Sequence, residues 1–374
     1  MAPAANKKFR VLIVDDSAFM RKVLEAIFNG DDQLQVAGHA KDGREAVALA
    51  ESLKPDVITM DINMPHMDGL QATAQIMTTN PRPIVIVSSE SKEGAASTLK
   101  ALELGAIEFV AKPSSGIDLD MQSVKEELLR KVRVAAKVRV VRTASRLALS
   151  VQGTNGNAAP KLSAPARTSP AIPADQRFPV VVLGASTGGP ATVMRLAPGF
   201  TRDFPAAVFL VQHMPATFTT QYAAQLAEFT SIRVKEAENN ETVQPGTLYI
   251  CPGAHHLRVT PAGRIQLDGT SGRINGYLPN IDVTMETVAA YAGAMSIGVV
   301  LTGMGNDGAN GAKAIKSAGG MVLAQDEATS VIFGMPAEAI KLAVVDQVLA
   351  IDDVYAAIEK RVIGICKASP VGAK

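Results

Sequence analysis

Short apolar runs alternate with amphipathic helical patterns along most of the chain, and this alternation constrains the fold more than any other feature. Strands that alternate with helices favour a parallel sheet covered by helices on both faces. The first block therefore predicts a doubly wound, flavodoxin-like α/β domain. Its predicted strands are VLIV (11–14), VAGHA (36–40), DVITMD (56–61), PIVIVSS (83–89) and FVAKP (109–113).

A stretch without periodicity separates this block from a second one. It contains GTNGNAAPKLSAPARTSPAIPADQ, which has several prolines, few aliphatic residues and no aromatic residue, a composition typical of a semi-flexible linker. Strand–helix alternation then resumes, with a predicted antiparallel hairpin around LRVTPAGRIQL. We predict a first domain over residues 8–142, a flexible linker over 143–176, and a second, Rossmann-like α/β domain with a mostly parallel sheet over 177–370.

Composition excludes several classes of function. The net charge of +1 provides no excess of basic residues for binding nucleic-acid backbones. The basic pattern over residues 121–142 could contact nucleic acid or an acidic partner, but it is more typical of a solvated helix face. Cys251 and Cys366 are too few for a disulfide framework or a cysteine-rich zinc site. No run approaches the length of a membrane span. We expect a cytoplasmic protein with no membrane insertion and no nucleic-acid partner.

Polar residues collect at the carboxyl ends of the predicted first-domain strands. Asp15 and Asp16 follow the first strand, Asp61 ends the third, Ser88 ends the fourth and Lys112 follows the fifth. Ligands of such sheets bind at this edge, and a cluster of carboxylates fits Mg²⁺ with a phosphoryl group beside the lysine. Helix capping by the two aspartates and a solvated lysine would explain each residue alone, but not their co-location.

The first strand of the second domain leads into Gly184-Ala185-Ser186-Thr187-Gly188-Gly189-Pro190. This pattern fits a nucleophile elbow, a dinucleotide-binding loop, or a glycine-rich turn that packs a helix on the sheet. A dinucleotide site needs an acid at the end of the next strand, and that strand ends in Gln212-His213. An imidazole there suits a serine nucleophile, because the hydroxyl needs a base.

The imidazole in turn needs a carboxylate to orient it. LTGMGNDG (301–308) is another strand that runs into a glycine-rich turn, and Asp307 is its only acid. The turn could also present N–H groups to an oxyanion, whereas Asp307 could instead be an ordinary helix cap. The resulting order Ser186, His213, Asp307 differs from that of α/β-hydrolases, chymotrypsin and subtilisin, which predicts triad chemistry on a separate scaffold.

Residues 1–140, with DINMPHMDG (61–69) and ALELGAIEFVAKP (101–113), resemble the receiver domain of two-component response regulators. The resemblance implies that Asp61 accepts a phosphoryl group from a histidine kinase. It further implies Mg²⁺ bound by Asp16, Asp61 and the backbone carbonyl of Asn63 with help from Asp15, a phosphoryl contact from Lys112, and switch residues Ser88 and Phe109.

GASTGGP, QHMP, LTGMGNDGA and QDEATSVIFGMP, placed after a receiver, resemble the chemotaxis protein-glutamate methylesterases. The resemblance implies hydrolysis of γ-glutamyl methyl esters on chemoreceptors with release of methanol, and deamidation of receptor glutamines. It assigns Ser186 as nucleophile, His213 as general base and acid and Asp307 as its orienting partner, with Thr187, the N–H of Met304 and His256 near the site.

The same resemblance implies regulation and partners. It implies that the unphosphorylated receiver covers the esterase site until the chemotaxis kinase CheA phosphorylates Asp61. It also implies that the esterase reaction uses no cofactor. We expect the protein to be a monomer. The segment LPNIDVTM (278–285) stands where the family more often has Pro-Ser-Val-Asp followed by Leu-Phe, a difference that concerns the receptors served rather than the chemistry. A dinucleotide-dependent oxidoreductase and a DNA-binding response regulator remain as less favoured alternatives.

Overall fold

The computed structural model describes residues 8–88, 92–112, 119–138 and 178–368, and the predicted linker lies outside them. The first domain has a parallel five-stranded sheet with the order β2-β1-β3-β4-β5, which confirms the predicted doubly wound receiver fold. Its strands are β1 (Phe9–Val14), β2 (Leu34–Ala40), β3 (Val57–Met60), β4 (Ile84–Ser88) and β5 (Glu108–Ala111). Its helices are α1 (Ala18–Asn29), α2 (Gly43–Leu53), α3 (Gly69–Thr79), α4 (Lys92–Glu103) and α5 (Leu119–Ala135).

Buried strands and side-chain caps explain why these residues form these elements. All four residues of β3 are buried, as a central parallel strand with helices on both faces requires. The Ser17 hydroxyl accepts from the Met20 N–H to begin α1, and Asp68 forms a capping box with Gln71 to begin α3. Side-chain caps therefore begin the helices that follow β1 and β3, the strands whose ends carry the aspartates.

The second domain has a seven-stranded parallel sheet with the order β14-β13-β12-β6-β7-β9-β8. From β6 the chain builds the sheet first through β7 and later on the opposite side through β12, so the topological switch point lies beside β6. The strands are β6 (Val180–Ala185), β7 (Ala207–Gln212), β8 (Arg233–Glu236), β9 (Thr247–Ile250), β12 (Ser296–Val300), β13 (Met321–Gln325) and β14 (Gln347–Leu349). The helices are α6 (Gly189–Leu196), α7 (Ala216–Leu226), α8 (Ile281–Ala292), α9 (Ala309–Ser317), α10 (Met335–Lys341) and α11 (Ile351–Ala368).

The predicted hairpin is present as a separate antiparallel pair. β10 (His256–Val259) pairs with β11 (Ile265–Asp268), and the Leu257 carbonyl of this pair accepts from the Thr284 hydroxyl of α8. The structure adds β8 and β14, which the sequence pattern did not predict. Both are short, partly exposed edge strands, so neither shows the continuous apolar run that marks the central strands.

The two domains pack against each other through α4 of the receiver and α6 and α7 of the second domain. The buried Phe109 ring of β5 lies 4.4 Å, centroid to centroid, from the Phe218 ring of α7. Gln225 of α7 donates to the Glu103 carboxylate at 3.3 Å. An aromatic pair of this kind contributes roughly 0.5–1.5 kcal/mol beyond its buried area. The interface thus combines an apolar centre with polar contacts.

The basic helix α5 buries Leu128 and Val132 and exposes Arg130, which donates to the Met304 sulfur of the second domain at 3.5 Å. One part of the predicted basic face therefore contacts protein rather than only solvent. Within the described ranges, no helix is long and apolar enough to cross a membrane.

Helices α8 and α9 cross closely because Gly311 has no side chain. A Cβ at this position would lie 2.6 Å from the Met285 Cβ and 3.0 Å from the Asp282 Cα. This close approach brings the first turns of the two helices together. Residues at both helix starts are therefore held at short range from each other.

Gly311→Ala is expected to lower the unfolding midpoint, because the added methyl group must push α8 away from α9; overpacking of this kind costs roughly 1–3 kcal/mol. Gly364→Ala is the matched control, since the Cβ it adds to α11 meets no described atom within 4 Å beyond its chain neighbours and its own helix backbone. The control should gain up to about 1 kcal/mol from helix propensity. Thermal unfolding of the three proteins measures both effects, and equal midpoints for Gly311→Ala and the wild type would contradict the packing argument.

Candidate active site

The receiver brings the predicted acidic residues and the lysine together at one end of its sheet. The Lys112 ammonium lies 2.8 Å from Asp61 Oδ2 and 3.0 Å from Asp15 Oδ2. Asp16 is exposed beside them, and oxygen atoms of Asp15, Asp16 and Asp61 all lie within 4.8 Å of one another. The co-location expected from the strand ends is therefore present.

Burial and crowding set the electrostatics of this cluster. Burial raises the pKa of Asp61 above its ordinary value; Lys112 opposes the rise and the nearby Asp15 adds to it. Burial acts to lower the pKa of Lys112, but the two carboxylates outweigh it and raise the value. Such a site has more negative charge than one lysine compensates. Three hard oxygen donors around an exposed edge fit a divalent cation such as Mg²⁺.

The other receiver residues named from the sequence lie at or near the ends of β3, β4 and β5. Ser88 is buried at the end of β4, and its carbonyl accepts from the Lys112 N–H at 2.7 Å. Phe109 is buried in β5, where the Lys131 ammonium lies 4.9 Å from the centre of its ring. Asn63 is exposed in the loop after β3. The switch candidate Phe109 therefore faces the second domain, through its contact with Phe218.

In the second domain, Ser186 and His213 follow the last paired residues of neighbouring strands. Ala185 of β6 lies opposite Gln212 of β7, and the His213 N–H donates to the Ala185 carbonyl at 3.1 Å. On its other side, the Ser186 N–H donates to the Thr302 carbonyl at 3.0 Å. Ser186 thus sits between the ends of β7 and β12, at the switch point of the sheet.

Asp307 binds the imidazole of His213. Its Oδ2 lies 2.8 Å from His213 Nε2 and also accepts the Ile281 N–H at 2.8 Å, while Oδ1 accepts the N–H groups of Asp282 and Gly308 at 3.0 Å each. Because a carboxylate only accepts hydrogen bonds, Nε2 carries the proton and Nδ1 is left to accept one. The first turn of α8 therefore fixes the carboxylate that orients the imidazole.

Asp282 makes the reciprocal contact. Its Oδ1 accepts from the N–H groups of Gly308 and Gly311, at 2.9 and 2.7 Å, so each helix start is capped by a carboxylate associated with the other. Burial raises the pKa of Asp282 to about 6; its backbone donors oppose the rise, and the charges of Asp307 and Glu286 add to it. The sequence predicted no role for this residue, which lies within the LPNIDVTM segment (278–285).

The loop after β12 approaches the serine closely. A Cβ at Gly303 would lie 2.7 Å from the Ser186 Cβ, so only glycine leaves room for the side chain. Within the described residues, the N–H groups of Thr187 and Met304 donate to no protein acceptor. Thr187 directly follows Ser186 and Met304 directly follows Gly303, so both donors lie on backbone segments next to the serine.

Two buried glutamines support the loops around the serine. Gln212 donates to the Ser186 carbonyl at 2.9 Å, and Gln325 accepts from the Thr302 N–H at 2.8 Å. Both residues lie within motifs identified from the sequence, but no role was predicted for them. Their signal was a polar residue at the last position of a buried strand, where a side chain can reach the neighbouring strand end.

The structure places His256 in β10, fully buried, with its Nε2 2.8 Å from the Gly272 carbonyl oxygen. The ring that contacts His213 belongs to Tyr277, which stacks on it with a centroid distance of 4.7 Å and an interplanar angle of 17°. Sequence reasoning did not name Tyr277. The only local signal was Asn275-Gly276, a turn pair directly before it.

Comparison with known proteins agrees with both domains. The CheB methylesterase family matches residues 181–358, and the response regulator receiver domain family matches residues 11–122. The protein-glutamate methylesterase/protein-glutamine glutaminase of Pyrococcus horikoshii is 43% identical over 364 residues, which covers 96% of this chain and 95% of the relative. The enzyme of the same name from Symbiobacterium thermophilum is 40% identical over 365 residues, covering 97% and 99%.

Among solved structures, the catalytic domain of Thermotoga maritima CheB methylesterase is 38% identical, covers 50% of this chain and 99% of that one, and has a TM-score of 0.48. Fold and site define a two-domain response regulator whose output domain is a hydrolase with a parallel α/β sheet. The chain belongs to the CheB methylesterase family, whose relatives are protein-glutamate methylesterases/protein-glutamine glutaminases.

Asp282→Asn tests the reciprocal cap. Since the folded-state pKa of Asp282 is about 6, above the ordinary 3.8, its ionisation destabilises the fold as pH rises through this interval. The neutral asparagine keeps an acceptor for Gly308 and Gly311 and escapes this loss. The unfolding midpoint of the variant should therefore gain on the wild type by a few degrees between pH 5 and 7.5.

Asp203→Asn is the matched control, because Asp203 is an exposed carboxylate of the same domain. Its midpoint should follow that of the wild type at every pH. A midpoint difference for Asp282→Asn that stays constant between pH 5 and 7.5 would show that Asp282 does not titrate in this range.

Proposed function

We propose that this chain is a phosphorylation-activated protein-glutamate methylesterase and protein-glutamine glutaminase that acts on chemoreceptors. The observation that carries the proposal is the 2.8 Å pair between His213 and Asp307, next to the strand end that bears Ser186. The names of the relatives support the substrate class.

The reaction begins when Ser186 Oγ attacks the ester carbonyl and transfers its proton to His213 Nδ1. Asp307 stabilises the positive imidazolium, and the N–H groups of Thr187 and Met304 donate to the oxyanion. The carbonyl–oxygen bond to the methoxy group breaks, and methanol leaves with the proton from His213. Water, deprotonated by His213, then hydrolyses the acyl-enzyme to release glutamate and restore Ser186.

Deamidation of a glutamine follows the same steps with ammonia as the leaving group. The acyl-enzyme is identical, so both substrates give a glutamate side chain. The esterase steps use only protein groups and water, and we therefore assign no cofactor to this domain. His256, which is fully buried in β10, stays a candidate site residue.

Ser186→Ala is expected to abolish methanol release from methylated receptor membranes, with a loss on the order of 10³-fold or more, because the covalent route disappears. Ser317→Ala, an exposed serine at the end of α9, is the matched control and should retain wild-type activity. A folded Ser186→Ala protein with full activity would rule out the nucleophile assignment.

In the receiver, Asp61 would accept a phosphoryl group from the histidine kinase CheA. Asp15, Asp16, Asp61 and the Asn63 carbonyl would hold Mg²⁺, which offsets the charge of the transferring group when bound. Lys112 would contact the phosphoryl oxygens. The raised pKa of Lys112 supports this role, because the ammonium stays charged next to the anion.

Contacts between the domains support gating of the esterase by the receiver. Arg130 reaches the Met304 sulfur, beside a proposed oxyanion donor, and Phe109 packs on Phe218 of the helix that follows His213. Burial acts to raise the pKa of Glu127 in α5, but Lys131, Arg130 and the second-domain Arg273 outweigh it and lower the value. A phosphorylation that shifts these receiver residues would weaken docking over the site.

Asp61→Asn should keep basal methylesterase activity and lose stimulation by acetyl phosphate with Mg²⁺, because the amide cannot accept the phosphoryl group. Asp32→Asn, at an exposed receiver carboxylate, should be stimulated like the wild type. Methanol release with and without acetyl phosphate measures both. Full stimulation of Asp61→Asn would refute the acceptor assignment.

A further inference from the structure

Tyr277 lies flat on the imidazole of the proposed base. The near-parallel rings, with centroids 4.7 Å apart, have the separation of an offset stack. Tyr277 is half-buried, so one face packs on His213 while the remainder borders solvent at the site. Asp307 binds the edge of the His213 imidazole through Nε2, whereas Tyr277 covers one of its faces.

A tight turn places this tyrosine. Ile274 and Tyr277 exchange backbone hydrogen bonds of 3.0 Å in both directions, and the two residues between them, Asn275 and Gly276, have φ values of 52° and 88°. Two consecutive positive φ angles are the mark of a type I′ turn. The turn fixes where the ring at its last position points.

The start of α8 anchors both this turn and the carboxylate of the triad. Asn280 donates from Nδ2 to the Ile274 carbonyl at 3.2 Å and accepts the Val283 N–H at 2.9 Å. The next N–H groups along α8, those of Ile281 and Asp282, bind Asp307. One helix start therefore sets the positions of Tyr277 and Asp307 relative to His213.

The tyrosine hydroxyl reaches the loop that follows β12. A Cβ at Gly305 would lie 2.0 Å from Tyr277 Oη, so the phenol extends from the imidazole to the backbone next to Met304. Tyr277 thus spans from the His213 ring to the backbone next to Met304.

A single hydrogen bond from Nε2 to Asp307 leaves the imidazole free to swing about that contact. A stacked ring removes this freedom and holds the imidazole, with Nδ1, in one plane. We propose that Tyr277 is a positioning residue for the hydrolase reaction, which fixes the plane of the His213 ring. The proposal rests on the Ser186–His213–Asp307 assignment above.

Tyr277→Leu removes the stacked ring, and Tyr277→Phe keeps it without the hydroxyl. Misplacement of a reacting group by about 1 Å costs up to roughly 100-fold, so the leucine variant should lose about 10–100-fold in kcat with little change in KM. The phenylalanine variant should restore kcat to within about three-fold of the wild type, less than 1 kcal/mol. If Tyr277 only stabilised the turn, Tyr277→Leu would lower the unfolding midpoint without a selective loss of kcat.

Two small probes on the full-length chain carry the test. Hydrolysis of p-nitrophenyl acetate gives kcat and KM, and the rate of covalent labelling by a fluorophosphonate reports how well the serine is activated. Labelling that is equal in wild type and Ser186→Ala would overturn the nucleophile assignment itself. Labelling confined to Ser186, with equal rates in wild type and Tyr277→Leu, would overturn only the role of Tyr277.

Unfolding midpoints show whether each variant is folded. If the leucine variant does not fold, Tyr277→Gln serves instead, since its polar side chain suits a half-exposed position and has no ring. Slow labelling in the glutamine variant and fast labelling in Tyr277→Phe would support the proposal. Fast labelling in both would refute it.

Discussion

The geometry of the hydrolase site depends on how one buried carboxylate is held. Asp307 accepts hydrogen bonds from Ile281, Asp282 and Gly308 as well as from His213. The N–H groups at a helix start carry partial positive charge, so the start of α8 stabilises the anion without a basic side chain. In the proposed mechanism, this carboxylate would stabilise an imidazolium without moving.

The same arrangement links distant parts of the chain. Gly311 allows α8 and α9 to approach, which lets Asp282 cap α9 while Asp307 caps α8. A displacement of either helix start is therefore expected to move Asp307, and with it the His213 imidazole. The receiver also contacts the second domain directly. Phe109 of β5 packs on Phe218 of α7, although the two residues are far apart in sequence.

Much of the fold and site followed from local sequence patterns. The buried strands were predicted because short continuous apolar runs bounded by turns are typical of parallel strands that are covered on both faces. The polar residues at their ends were predicted to converge because the carboxyl ends of parallel strands meet at one edge of the sheet. The edge strands β8 and β14 were missed, since partly exposed strands of three or four residues lack such runs. Tyr277 was missed because its role depends on a contact with a ring 64 positions away in sequence.

The sequence by itself determined the two α/β domains, the resemblance that implies their activities, and the candidate residues Ser186, His213, Asp307 and Asp61. These features are encoded by periodicity and by residue type at strand ends, which are local properties of the chain. Only the tertiary structure decided that Asp282 and Asp307 cap opposing helices, that Tyr277 covers the imidazole, and that the receiver reaches Met304. Those contacts arise where helices cross and domains pack, and no local pattern specifies which surfaces will meet.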